Sequence, residues 1–145
     1  MLGQRHDCEH ALAAADTELA RADQTDAAAH LFTAPEFDRL AGACQLSLGN
    51  HARAAGLLTD TAARLHDRQK SRAIVLGNLA LAHARQREAD AAAGALHQAI
   101  DVAAQTRGAG GLTLIFKATR ELAPWRREPV VQYVQDRVHD LVTAP

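Results

Sequence analysis

Apolar side chains recur every three or four residues along nearly all of this chain, in stretches of 12 to 18 residues parted by short polar, glycine or proline runs. That interval is the period of an α-helix with one buried face, and it argues against strands, whose apolar positions alternate. Seven helices are predicted. The first runs from Asp7 to Ala22, with Leu12, Ala15, Leu19 and Ala22 on its stripe, and ends in Asp23-Gln24-Thr25-Asp26. The second opens with Pro35, whose missing N–H suits a first helical position, and stops at Leu48 before Gly49 and Asn50.

His51 to His66 forms the third, followed by the charged turn Asp67 to Lys70. Ser71 is the expected N-cap of the fourth, which places Ile74, Val75, Leu79 and Ala82 inward and ends in the polar run Arg85 to Glu88. The fifth covers Ala89 to Thr106, after which Gly108, Gly110 and Gly111 are expected to break the chain. Leu112 to Leu122 is the sixth, ended by Pro124. The seventh opens at Glu128-Pro129 and carries Val130, Val131, Val134, Val138 and Leu141 on one face.

Composition supports this reading. Apolar residues make up 48% of 145 but aromatics only 3%, so alanine and leucine, both strong helix formers, dominate. One domain spanning 1–145 is long enough to bury a core without metal or disulfide staples. A formal charge of −1 gives no global attraction to nucleic acid or to an anionic membrane, and no stretch approaches 18 uninterrupted apolar residues. The opening MLGQRHDCEH lacks the apolar run of an export signal. Cys8 and Cys44 are too few for a disulfide framework and lack zinc-type spacing, so a reducing cytoplasm is the expected location, with Cys44 acting as a small hydrophobe.

Short connections make neighbouring helices antiparallel, and the pairs repeat. Gly42-Ala43-Cys44, Leu48-Gly49, Ala54, Leu58 and Thr61 align with Ala80-Leu81-Ala82, Gln86-Arg87, Ala92, Leu96 and Ala99 at a constant offset of 38 residues. Ala15, Leu19 and Ala22 give the same spacing a third time, 39 residues earlier. The expected organisation is a partial repeat over 7–22 and repeats over about 35–66, 71–106 and 112–142.

These small and large apolar positions resemble the tetratricopeptide (TPR) family of helix-pair repeats. Phe37-Asp38, Leu48-Gly49, Ser71-Arg72-Ala73, Asn78-Leu79-Ala80, Ala99-Ile100 and Leu122-Ala123-Pro124-Trp125 are similar, in order, to the TPR-like C-terminal domain of bacterial helix-turn-helix regulators of the XRE type. The chain departs from that pattern at Arg87, where glycine is usual, and at Gln45 and His83, where an aromatic is common. The DNA-binding domain that precedes such arrays has no counterpart here, so this segment is not expected to bind nucleic acid directly.

The resemblance implies an all-α, TPR-like α-solenoid of antiparallel helix pairs. Its first helices would line a concave groove with Arg39, Ala43, Leu46, Ile74, Gly77, Leu81, Arg85, Leu112, Ile115 and Thr119. The implied function is non-catalytic recognition of a peptide, a protein partner or a small effector, as the sensing or assembly part of a transcription-regulatory system. No cofactor is expected. Two other classes are carried beside it: a homodimerisation domain using the apolar face of Glu128 to Leu141, and a scaffold recruited as a small-molecule or metal-dependent enzyme.

The enzyme class rests on few residues. His6 and His10 stand four apart, as two imidazoles sharing a metal would, but a polar first turn explains them as well and no third ligand is identifiable. The chain has 8 histidines, yet His51, His66, His83 and His97 fall in different helices or their ends, with no nucleophile at a telling spacing. His83 is expected to be a packed, hydrogen-bonded histidine; His97 and His139 are expected to face solvent. Asp38 and Arg72 are expected to pair between helices. Lys117, Arg120, Arg126 and Arg127 form a local basic region, read first as a solvated face and second as a surface for a carboxylate or an acidic partner.

Overall fold

The computed structural model describes residues 6–11, 13–14, 34–106 and 109–145, and every regular element among them is helical. Residues 6–11 and 13–14 are helical, and the stripe of Leu12, Ala15, Leu19 and Ala22 predicted for the first helix lies outside the described residues. Six α-helices follow among the described residues: α1 (Ala34–Ser47), α2 (His51–Arg64), α3 (Gln69–Arg85), α4 (Ala89–Thr106), α5 (Ala109–Glu121) and α6 (Pro129–Thr143). A 3₁₀ turn, Ala123–Trp125, separates the last two.

Each boundary has a local cause. Gly49 takes the left-handed conformation, φ 83°, that ends α1. Pro129 starts α6, where its lack of an N–H costs nothing. Two boundaries differ from expectation. α3 begins at Gln69, two residues ahead of Ser71, because the Ser71 hydroxyl donates to Glu36 across the helix interface at 2.7 Å and does not cap its own helix. α5 begins at Ala109, so Gly110 and Gly111 lie inside it. A β-carbon on Gly111 would stand 2.8 Å from Ala73 Cβ, so glycine here permits close helix crossing.

The helices form an all-α stack of pairs in two layers, α1, α3 and α5 inside and α2, α4 and α6 outside, with α3 packed on α2, α4 and α5. The interval of 38 residues is a burial interval. Leu58, Leu96 and Val134, at that spacing, are fully buried, as are Ala93 and Val131, with Ala55 at 6%. Gly42, Ala80 and Ala118 are the buried small residues on the inner helices. Each fully buried leucine contributes about 1.5–3 kcal/mol, so the repeated outer-layer positions carry much of the stack.

Helical geometry then fixes what α3 presents inward and outward. Gly77 faces α5, where a β-carbon would meet Leu114, and Asn78, about 100° further round the helix, is 8% exposed. The strip of α3 between its contacts with α1 and α5 is termed the trough of the stack.

Candidate functional site

Ser71, Asn78 and Arg85 lie seven residues apart and so on one line of α3, the line that runs along the trough. Both ends of the line are tied to neighbouring helices. Ser71 donates to Glu36 Oε1 on α1, and Glu36 is also held by Arg39 at 3.0 Å and Arg68 at 3.6 Å. Arg85 grips Glu121 on α5 through Nε at 2.9 Å and Nη2 at 3.3 Å. These two latches fix the inner helices relative to one another at opposite ends of the trough.

Burial pushes the Glu36 carboxyl up, but the Ser71 hydroxyl and the Arg39 and Arg68 guanidinium groups outweigh it and hold the group below its ordinary 4.5. The first latch is therefore ionised at neutral pH. It is a structural network whose four members come from α1, α3 and the turn before α3.

Asn78, between the latches, is only 8% exposed and its amide makes no hydrogen bond among the described residues. An asparagine in the middle of a 17-residue helix lowers helix propensity. Most other buried polar side chains have partners: Gln45 accepts from Asn50 at 2.6 Å, Thr61 bonds the Leu57 carbonyl at 2.7 Å and Glu36 is latched. Asn78 thus offers a free donor and acceptor at the trough floor. The sequence carried one sign of it, a polar residue inside the apolar run Ile74 to Ala82.

The groove residues expected from the sequence divide into two groups. Ile74, Ala43 and Arg39 are partly exposed, with Arg39 bonded to Glu36, and Arg85 belongs to the second latch. Leu46, Gly77, Leu81 and Ile115 are buried: a β-carbon on Gly77 would stand 2.6 Å from Leu114 Cβ, and the other three are in the core. Leu112 packs on the core and lines an apolar cavity of about 270 Å³ with Ala103, Ala104 and Leu141, and Thr119 bonds its own helix at the Ile115 carbonyl.

The expected Asp38–Arg72 pair does not form. Asp38 pairs with Arg64, while Arg72 donates to the Ala62 carbonyl at 3.3 Å near the end of α2. Cys44 is not a lone buried thiol: it is disulfide-bonded to Cys8, with 7.0 Å between the α-carbons, so the N-terminal helix is fastened to α1. A cavity of about 450 Å³ lies there, lined in part by Glu9 and Ala13 on one side and Phe37, Ala41 and Leu57 on the other.

His6 and His10 have ring centroids 6.3 Å apart, and no group of three or more His, Cys, Asp or Glu is placed to share a metal among the described residues. His83 is half-buried and bonded to Glu88 at 2.7 Å. His97 is also half-buried, where solvent exposure was expected. The Tyr133 ring lies tilted against it with 4.9 Å between centroids and Arg137 meets its Nδ1 at 3.1 Å, so burial and the neighbouring cation lower its pKa. His139 is exposed. No described helix is long and apolar enough to cross a membrane. Comparison with family models, with curated proteins and with solved structures finds no match for the chain.

Proposed function

We propose that the chain is a TPR-like, non-catalytic binding module that takes up an extended peptide segment along the inner layer, as the sensing or assembly part of a transcription-regulatory system. The observation that carries this reading is Asn78. A carboxamide can accept from one peptide N–H and donate to one peptide C=O, which suits a main chain of any sequence, and the nearby Ile74 supplies apolar contact. The Glu36 and Arg85 latches keep the inner helices in place, so a guest would not have to order them on binding.

The test is a nonapeptide array probed with the wild type and with Asn78→Ala. Capture is expected to fall at least about tenfold in the variant, the loss of one or two hydrogen bonds to a shaded amide. Its melting temperature is expected to hold or rise, because an unpartnered amide has been replaced by a good helix former. An array on which both proteins bind the same peptides equally, or on which the wild type binds none, overturns the reading. The regulatory part is tested separately by whether a helix-turn-helix domain is encoded in frame or alongside.

A further inference from the structure

The turn that ends α1 and the turn that ends α3 have the same backbone. In the first, Asn50 N donates to Gln45 O at 2.9 Å and Gly49 N to Leu46 O at 3.1 Å; in the second, Glu88 N donates to His83 O at 3.0 Å and Arg87 N to Ala84 O at 3.0 Å. Both turns need a left-handed residue after the helix. Gly49 supplies it freely at φ 83°, whereas Arg87 is forced into it at φ 64° with its β-carbon crowded against the backbone. An unfavourable conformation kept where glycine would fit points to a use for the side chain.

The Arg87 guanidinium lies 5.9 Å from the centroid of the Trp125 ring, a cation–π contact between the α3–α4 turn and the α5–α6 turn. Close to Trp125 in the chain are Lys117 and Arg120, in the last turns of α5, and Arg126 and Arg127, in the turn itself, all exposed. None of these five basic side chains has a carboxylate partner among the described residues, as is also true of Arg53, Lys70 and Arg72, whereas Arg39, Arg64, Arg68, Arg85 and Arg137 all have one. Between Lys117 and Glu128 the acids are Glu121, already gripped by Arg85, and Glu128. A surface depression of about 350 Å³ is lined by Pro124, Trp125, Arg126, Arg127 and Glu128.

We infer that this Trp125-centred basic surface docks an acidic peptide segment of a partner protein, its carboxylates meeting the unpaired guanidinium groups and an apolar side chain covering Pro124 and Trp125. It is separate from the trough and does not rest on the reading of Asn78. Nucleic acid is disfavoured by the balance of charge. The whole chain is at −1, so the surface outside this cluster is net negative and repels a long polyanion, while a short acidic segment touches the cluster alone.

Trp125 is the one tryptophan of the chain, so its emission reports directly on the surface. An oligoglutamate decapeptide is expected to change that emission saturably, with affinity falling at least about tenfold when salt is raised about tenfold. An oligoglutamine decapeptide is expected to have no effect. Arg87→Gly is the decisive variant, because it removes the charge and relieves the backbone together: affinity for oligoglutamate should fall about fivefold or more while the melting temperature rises. Lys70→Ala, which removes an exposed charge elsewhere, should leave the affinity unchanged. The inference is overturned if oligoglutamate binds no better than oligoglutamine, if Arg87→Gly binds as the wild type does, or if a single-stranded oligonucleotide of equal charge binds more tightly than the peptide.

Discussion

α3 meets its two inner-layer neighbours by different physics. Toward α1 the contact includes a polar latch, with Glu36 collecting Ser71, Arg39 and Arg68. Toward α5 it is a backbone approach, with Gly77 against Leu114 and Gly111 against Ala73, finished by the Arg85–Glu121 pair at the rim. The polar latch depends on ionisation and can yield by rotating side chains. The glycine contact depends on the absence of a β-carbon and can yield only by moving a helix. One helix thus has a titratable flank and a steric flank, and perturbations should separate them.

The largest effect is expected on the steric flank. Gly77→Ala puts a β-carbon 2.6 Å from Leu114 Cβ, which is too near the main chain to swing away. The overlap should outweigh the gain in helix propensity and lower stability by about 2 kcal/mol, with no dependence on pH between neutral and acid. Denaturant unfolding measures it; a variant as stable as the wild type would mean that α3 and α5 do not cross here.

A smaller loss, about 1–2 kcal/mol, is expected for Glu36→Gln on the polar flank, where charge-assisted bonds become neutral ones. Its pH dependence identifies it. The Glu36 pKa is lower in the folded chain than in the unfolded one, so the carboxylate's contribution is complete above the ordinary 4.5 and is lost as pH falls through the folded value. Acid titration of stability should therefore show a step in the wild type that is missing from Glu36→Gln. Identical acid profiles would remove Glu36 from the latch.

The smallest effect serves as the control and has the opposite sign. Gly94 on α4, like Gly56 at the equivalent place on α2, would meet nothing within 4 Å with a β-carbon added. Gly94→Ala should raise stability by about 0.5–1 kcal/mol through helix propensity alone. A loss there would show that the outer layer, too, is closed by something packed on that face. The same glycine-to-alanine change thus reads out two layers of one stack.

How far these features were legible from the residues varies by kind. Gly42, Gly56, Gly77, Gly94 and Gly111 look alike in the sequence, each a glycine within or beside an apolar stripe, and no local rule tells a close crossing from an open face. Ser71 has the chemistry of a cap, and only the arrival of Glu36 from 35 residues away turns it into a cross-link. Asn78 was visible as a polar residue in an apolar run but gave no sign of whether a partner awaited it. Cys8 and Cys44 likewise showed no spacing rule that predicts their pairing.

The succession of helices, the interval of 38 residues, the stop at Gly49 and the start at Pro129 were set by the chain alone, because periodicity and backbone preference act over a few neighbouring residues. Which carboxylate meets which guanidinium, which glycine is pressed by a neighbour and which amide is left open along the trough were decided by the angular phase at which the helices pack. A rotation of 100° per residue turns an error of one position into a different face, and that phase is fixed only when all the layers close together.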